Sequence, residues 1–108
     1  HIAVLGADAH GKAEVAPAAL ARCRLFCDEW RQASSGGELS GAAAAGDIGS
    51  GDVGEIGAVL TGESDGRASD EEITLFDSTG LAIQDLAIAR AVLGAHREGR
   101  VNPPQVRL

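Results

Sequence analysis

Methionine and tyrosine are absent from the 108 residues, and the aromatic side chains are Phe26, Trp30 and Phe76. So few rings exclude a base-stacking platform for single-stranded nucleic acid. Positive charge is also scarce: Lys and Arg number 9 against 16 Asp and Glu, a net charge of −7. That balance disfavours phosphate-backbone contact, so no nucleic-acid partner is expected. No apolar run approaches the ~18 residues of a membrane span, so no membrane partner is expected either. Cys23 and Cys27 have no second cysteine pair to complete a zinc site, and His1, His10 and His96 are far apart in sequence. No metal is therefore expected. Both thiols lie in an apolar stretch, where a thiol packs as a small hydrophobe. Two thiols without a disulfide framework fit a cytoplasmic protein. A complete translation product starts with Met, so the expectation is a piece of a longer protein, and the lack of a signal peptide carries little weight.

What is present fits a folded domain or part of one. Hydrophobic residues make up 44% of the chain, which separates it from disordered sequences. Glycine is abundant at 15 residues. Acids concentrate between Gly46 and Asp85: Asp47, Asp52, Glu55, Glu63, Asp65, Asp70, Glu71, Glu72, Asp77 and Asp85, against Arg67 as the one base. This stretch reads as a solvated acidic surface, and its spacing is not that of a calcium loop.

His1 to Leu5 is a continuous apolar run, as in a strand buried on both faces of a parallel sheet. Pro17 suits the first turn of a helix, predicted near residues 16–22. Arg24 to Asp28 reads as the next strand, which makes strand, helix, strand. From Glu29 to Ala45 the pattern is weak, with a Gly/Ser break at residues 34–37 and a short helix over 38–45. Val53, Ile56, Val59 and Leu60 have helical spacing, predicting a helix over 52–62 with Asp52 as N-cap. Ile73-Thr74-Leu75-Phe76 is a strand. A long helix follows, near 80–98, with apolar stripes at Leu81, Ile88, Val92 and at Ile83, Leu86, Leu93. Two stripes predict packing against more than one neighbour, with the helix bridging the sheet and a second body.

Two polar, Gly-containing turns follow strands: Gly6-Ala7-Asp8 to Lys12, and Asp77-Ser78-Thr79-Gly80. Ligands bind outside the carboxyl ends of strands in open parallel sheets, so both turns lie on the ligand edge if the two strands are parallel neighbours. Gly6 allows close backbone approach. Asp8 supplies a carboxylate suited to general acid or base work, Lys12 a cation, and Ser78 and Thr79 hydroxyls. Plain structural readings stand beside these: Asp8 as a turn cap, Lys12 as solvated surface, Ser78 or Thr79 as N-cap of the last helix. No GxGxxG fingerprint follows a strand, no GxxxxGK[ST] loop is present, and no GxSxG run forms a strand-to-helix elbow. From the residues alone, the chain is part of an α/β ligand-binding domain.

The run from His1 to Val15 resembles the "GAD-x-PGK-x-EL" segment of the ornithine cyclodeaminase/mu-crystallin family. Arg24-Leu25-Phe26-Cys27-Asp28 is similar to its "RVFVD" strand. Gly66 to Ala87 is similar to its "GR-x-S-x-x-EITLF-x-S-x-G-x-AIQDLA" block. His10 stands where the family commonly has Pro.

The resemblance implies a partial Rossmann-like parallel sheet followed by a long C-terminal helix. Residues 1–80 would be the later part of an NAD(P)-binding domain, and 81–98 the helix leading back to a substrate and dimerisation domain. Residues 99–108 would be an irregular tail. It implies a homodimeric enzyme, using NAD or NADP on a small amino acid or imine. The reaction would convert ornithine to proline and ammonia, or be of the alanine dehydrogenase or ketimine reductase type. Leu5, Gly6, Ala7 and Asp8 would line the nicotinamide side of the cofactor. Asp8 would be the catalytic acid/base and touch substrate, Lys12 and Ser78 would contact cofactor, and Thr79 would contact substrate. The glycine fingerprint and the substrate-clamping Arg and Lys would lie upstream, so the piece alone is expected to be inactive. A non-catalytic crystallin-like ligand binder and an inactive truncated product are the alternatives.

Overall fold

The computed structural model describes residues 1–7, 11–104 and 106. Four strands, β1 (Ile2–Val4), β2 (Arg24–Cys27), β3 (Val53–Glu55) and β4 (Thr74–Asp77), form one sheet in the order β1-β4-β2-β3. Every pairing is parallel. Each connection therefore crosses back over the sheet, and helices supply the crossovers. These are α1 (Pro17–Leu20) between β1 and β2, and α2 (Trp30–Gly36) and α3 (Ser40–Ala45) between β2 and β3. Helices α4 (Ile56–Thr61) and α5 (Ala82–Arg97) follow β3 and β4. The α/β class and the parallel sheet agree with the sequence expectation.

Strand alternation divides the core. Val4, Leu25, Cys27, Val53 and Leu75 share one face and pack on Leu20, Ala33 and Leu39 from the crossover segments. The other face carries Phe26, Phe76 and Thr74. There the Arg24 guanidinium sits 5.6 Å from the Phe26 ring centroid. A Cβ at Gly54 would come within 2.8 Å of that ring. Phe26, Phe76, Ile56 and Val59 line an open apolar groove of about 400 Å³ on this face.

Two segments differ from expectation. Residues 53–55 form a strand, not the first turn of a helix, because Val53 and Glu55 pair with Leu25 and Cys27 of β2. The helix begins only at Ile56, and the Asp52 carboxylate accepts from Gly49 N at 2.8 Å instead of capping it. Helix α2 runs through the Ser34-Ser35-Gly36 tract that reads as a break. Glu29 caps it, accepting from the N–H groups of Arg31 and Gln32 at 2.9 and 2.8 Å. The Ser35 hydroxyl bonds back to Arg31 O, so the polar tract stays within the helix.

The long helix is present, yet neither apolar stripe is covered. Ile83, Leu86 and Ile88 are more than half exposed, Val92 and Leu93 nearly so, and Ala95 is the buried residue of α5. It does not lie against the sheet as expected: the crossover segments pack on one face, and the other face remains the open groove. No helix among the described residues is long and apolar enough to cross a membrane.

Candidate functional site

Register places Val4, Asp77, Cys27 and Glu55 in one row across the four strands. Because all strands are parallel, the residues after this row share the carboxyl edge. Strands β1 and β4 are direct neighbours, so the two Gly-containing turns leave the sheet side by side. Ser78 N donates to Val4 O at 3.0 Å, extending the pairing one step into the turn.

Leu5 is 71% exposed at this edge, Gly6 is half-buried and Ala7 is buried. Lys12 is exposed, and Ser78 and Thr79 are half-buried. Asp8, the expected acid/base, lies outside the described residues. The geometry thus brings Leu5, Gly6 and Ala7 next to Ser78 and Thr79.

Neither Ser78 nor Thr79 caps α5. Leu81 holds the N-cap position, without a side-chain cap, and Gly80 turns the chain with φ of 77°. The hydroxyl of Thr79 instead donates to Asp28 Oδ1 at 2.7 Å. Asp28 Oδ2 accepts from Thr79 N at 2.9 Å and Gly80 N at 3.1 Å. Oδ1 also accepts from Glu29 N at 3.0 Å. From α2, the Gln32 amide donates to Thr79 O at 3.2 Å. Side chains at the end of β2 and on α2 therefore shape the turn after β4.

Asp77 departs from the solvated acidic surface expected of its neighbourhood. It lies on the core face of a central strand and is fully buried. Oδ2 accepts from Leu39 N at 3.1 Å, while Oδ1 has no partner among the described residues. Burial raises its pKa, the Leu39 and Glu38 amides pull the other way, and the Asp28 and Glu38 carboxylates add to the rise. Cys27, beside it in the row, is also buried, and its pKa is pushed up to about 12 by burial and then by Glu55, Asp28, Asp77 and Glu29. Such a thiol packs and does not react.

Glu38 and Glu14 complete the edge. Glu38 is 3% exposed and accepts from Glu14 N at 2.8 Å and Val15 N at 2.8 Å. Glu14 Oε2 accepts from Gly6 N at 3.1 Å. Sequence reasoning missed Asp28, Gln32, Glu38 and Glu14. Asp28 carried a signal, a polar residue straight after an apolar strand; the other three act through contacts that no local pattern reports. Among the described residues, no three His, Cys, Asp or Glu side chains group as metal ligands.

Residues 1–100 match the ornithine cyclodeaminase/mu-crystallin family. The iminosuccinate reductase of Paracoccus denitrificans is 52% identical over 93 residues, which are 86% of this chain and 29% of that protein. The chain thus spans under a third of the length of that relative. The structure of the same reductase with NAD+ superposes with a TM-score of 0.81 at 47% identity, over 98% of this chain and 33% of that one. An archaeal alanine dehydrogenase dimer with bound NAD superposes at 0.82 with 44% identity, over all of this chain and 34% of the other. The chain belongs to the ornithine cyclodeaminase/mu-crystallin family.

Proposed function

We propose that the chain is the later part of the dinucleotide-binding domain of an NAD(P)-dependent oxidoreductase acting on an amino acid or cyclic imine. The observation that carries this reading is the parallel pairing of β1 and β4, which sets two Gly-containing turns side by side on the edge where such sheets bind ligands. The relatives named above are an iminosuccinate reductase and an alanine dehydrogenase, both seen with NAD.

The residues present fit one end of the dinucleotide. Leu5 offers an exposed apolar surface at the strand end, suited to the face of a nicotinamide ring. Glu55 ends β3, and Asp28 and Glu29 follow the end of the neighbouring β2, so these carboxylates lie at the same edge. Negative charge there disfavours a diphosphate but not the cationic ring of the oxidised cofactor. The chain therefore suits the nicotinamide end, and the diphosphate belongs with residues elsewhere in the parent protein.

When bound, the cofactor supplies or removes a hydride at a carbon bearing nitrogen. Leu5, Gly6 and Ala7 line its ring side, and Lys12 and Ser78 hold polar groups of the cofactor. Asp8 moves a proton at the reacting nitrogen or at a water beside it, and touches substrate with Thr79. A carboxylate in that role must come within hydrogen-bond reach of the nitrogen. The parent works as a cytoplasmic homodimer, in keeping with the uncovered apolar side chains of α5, and the 108 residues alone are inactive.

The test uses the full-length parent. Asp8→Asn is expected to abolish NAD(P)H-linked turnover of alanine, ornithine, iminosuccinate and cyclic imines while cofactor binding persists. Unchanged turnover removes Asp8 from the mechanism, and a parent that binds no dinucleotide removes the whole reading.

A further inference from the structure

The carboxyl edge holds three acidic side chains that accept from backbone N–H groups of another segment. Asp77, at the end of β4, accepts from Leu39 N. Glu38, one residue before, accepts from Glu14 N and Val15 N. Glu14 in turn accepts from Gly6 N, directly after β1. The connector between α2 and α3 is wedged where it makes these bonds. A Cβ at Gly37 would strike the Asp77 carboxylate and lie 2.9 Å from the Thr79 methyl. Glu38 and Leu39 are buried, at 3% and 0% exposure.

We infer that Glu38 and Glu14 are positioning residues that latch the loop after β1 to the turn after β4. The loop leaves the sheet after β1 and leads into α1 past Val15, and a carboxylate accepts from the backbone near each end, at Gly6 N and at Val15 N. Glu38 is itself placed by the connector that rests on Asp77 and Thr79. The location of the β4 turn is thereby passed to the β1 loop, and Lys12 and Ser78 are held at one spacing. This division of labour deepens the reading of the edge as a dinucleotide site and rests on it. A loop set down wrongly by an ångström would leave its polar groups short of the ligand, at a cost of up to roughly a hundredfold in rate.

Both carboxylates are tested in the full-length parent by Glu38→Gln and Glu14→Ala. Both Glu38 oxygens accept, so glutamine there keeps the shape but sets an amide N–H group against a backbone donor. Glu14 accepts from Gly6 N through one oxygen, which a glutamine oxygen would replace, so alanine is used to remove the acceptor. Three measurements are needed: native-state hydrogen exchange at Gly6, Glu14 and Val15, NADH affinity from nucleotide fluorescence, and kcat. The expected result is exchange at least about tenfold faster at those amides, with the β4 amides unchanged. NADH affinity and kcat then fall roughly tenfold, while the thermal midpoint of Glu14→Ala stays near wild type. Glu38 is buried and its variant is the one at risk of unfolding; Glu14 is exposed, so Glu14→Ala decides the matter in that event. Unaltered exchange at Gly6 in Glu14→Ala overturns the latch. Faster exchange with NADH affinity and kcat unchanged overturns its positioning role. A wild-type parent that binds no NADH defeats the dinucleotide reading instead, and the exchange data still report on the latch.

Discussion

Thr79 is tied to Asp28 twice, through its hydroxyl at 2.7 Å and its backbone N–H at 2.9 Å. Asp28 accepts in every one of these bonds and also from Glu29 N and Gly80 N. The single proton of the Thr79 hydroxyl is therefore committed, and what it presents to the edge is lone pairs. A ligand meeting Thr79 must bring a donor, which an amine or iminium nitrogen does and a carboxylate does not.

Replacing Thr79 in the parent reads this directly. Thr79→Ser keeps an acceptor and is expected to leave KM for an amino substrate within a few-fold of wild type. Thr79→Val removes it, and KM rises up to roughly tenfold. Equal constants for the two variants would show that the hydroxyl meets no donor on the substrate.

Asp28→Ala strips acceptors from three backbone N–H groups and one hydroxyl around a buried position. Loss of about 2–4 kcal/mol is expected, measured by urea unfolding. The disruption centres on residues 78–80, so amide exchange there should rise before that of β2. A loss under about half a kcal/mol would mean that water replaces the carboxylate without penalty.

The raised pKa of Asp77 has a definite sign for stability. The fold favours the protonated carboxyl, so this contribution is full below the ordinary value of 3.8 and is lost as pH rises through the folded value. Asp77→Asn cannot ionise. The stability of the variant relative to wild type should therefore improve as pH rises from about 4 through the raised value of the folded carboxyl. Parallel stability curves over that range would refute the assignment.

Two adjacent glycines make a matched pair. Gly37→Ala drives a methyl group at the Asp77 carboxylate, the Thr79 methyl and the Ala33 backbone, 3.0 Å away. A loss of about 1–3 kcal/mol follows from overpacking a fixed site. Gly36→Ala meets nothing within 4 Å and sits at the end of α2. That change is expected to be neutral or to stabilise by up to about 1 kcal/mol. Similar unfolding midpoints for both variants would contradict the close packing at Gly37.

Thiol chemistry separates the two cysteines. Cys27 has no exposed surface and a pKa near 12, whereas Cys23 is half-buried with its thiol donating to Ala19 O. Alkylation of the native protein near neutral pH should label Cys23 first, with Cys27 reacting only on unfolding. Peptide mass spectrometry after timed labelling gives the order, and early label on Cys27 would rule out its burial.

The amino-acid sequence by itself determined β1, β2, β4 and α5, because a continuous apolar run or a 3.6-residue period is written within a few neighbouring positions. It also marked both edge turns, since glycine and small polar residues after an apolar run signal a chain leaving a sheet. It could not determine β3, where Val53-Gly54-Glu55 is a strand only because β2 lies alongside. Nor could it show that Asp77, one acid among ten in its stretch, is buried while Glu63 and Asp65 face solvent. Tertiary structure alone decided the work of Asp28, which reaches Thr79 across 51 residues, and of Glu38, which reaches Glu14 across 24. The physical reason is that these carboxylates find their donors only after the parallel crossovers have brought distant strand ends to one edge.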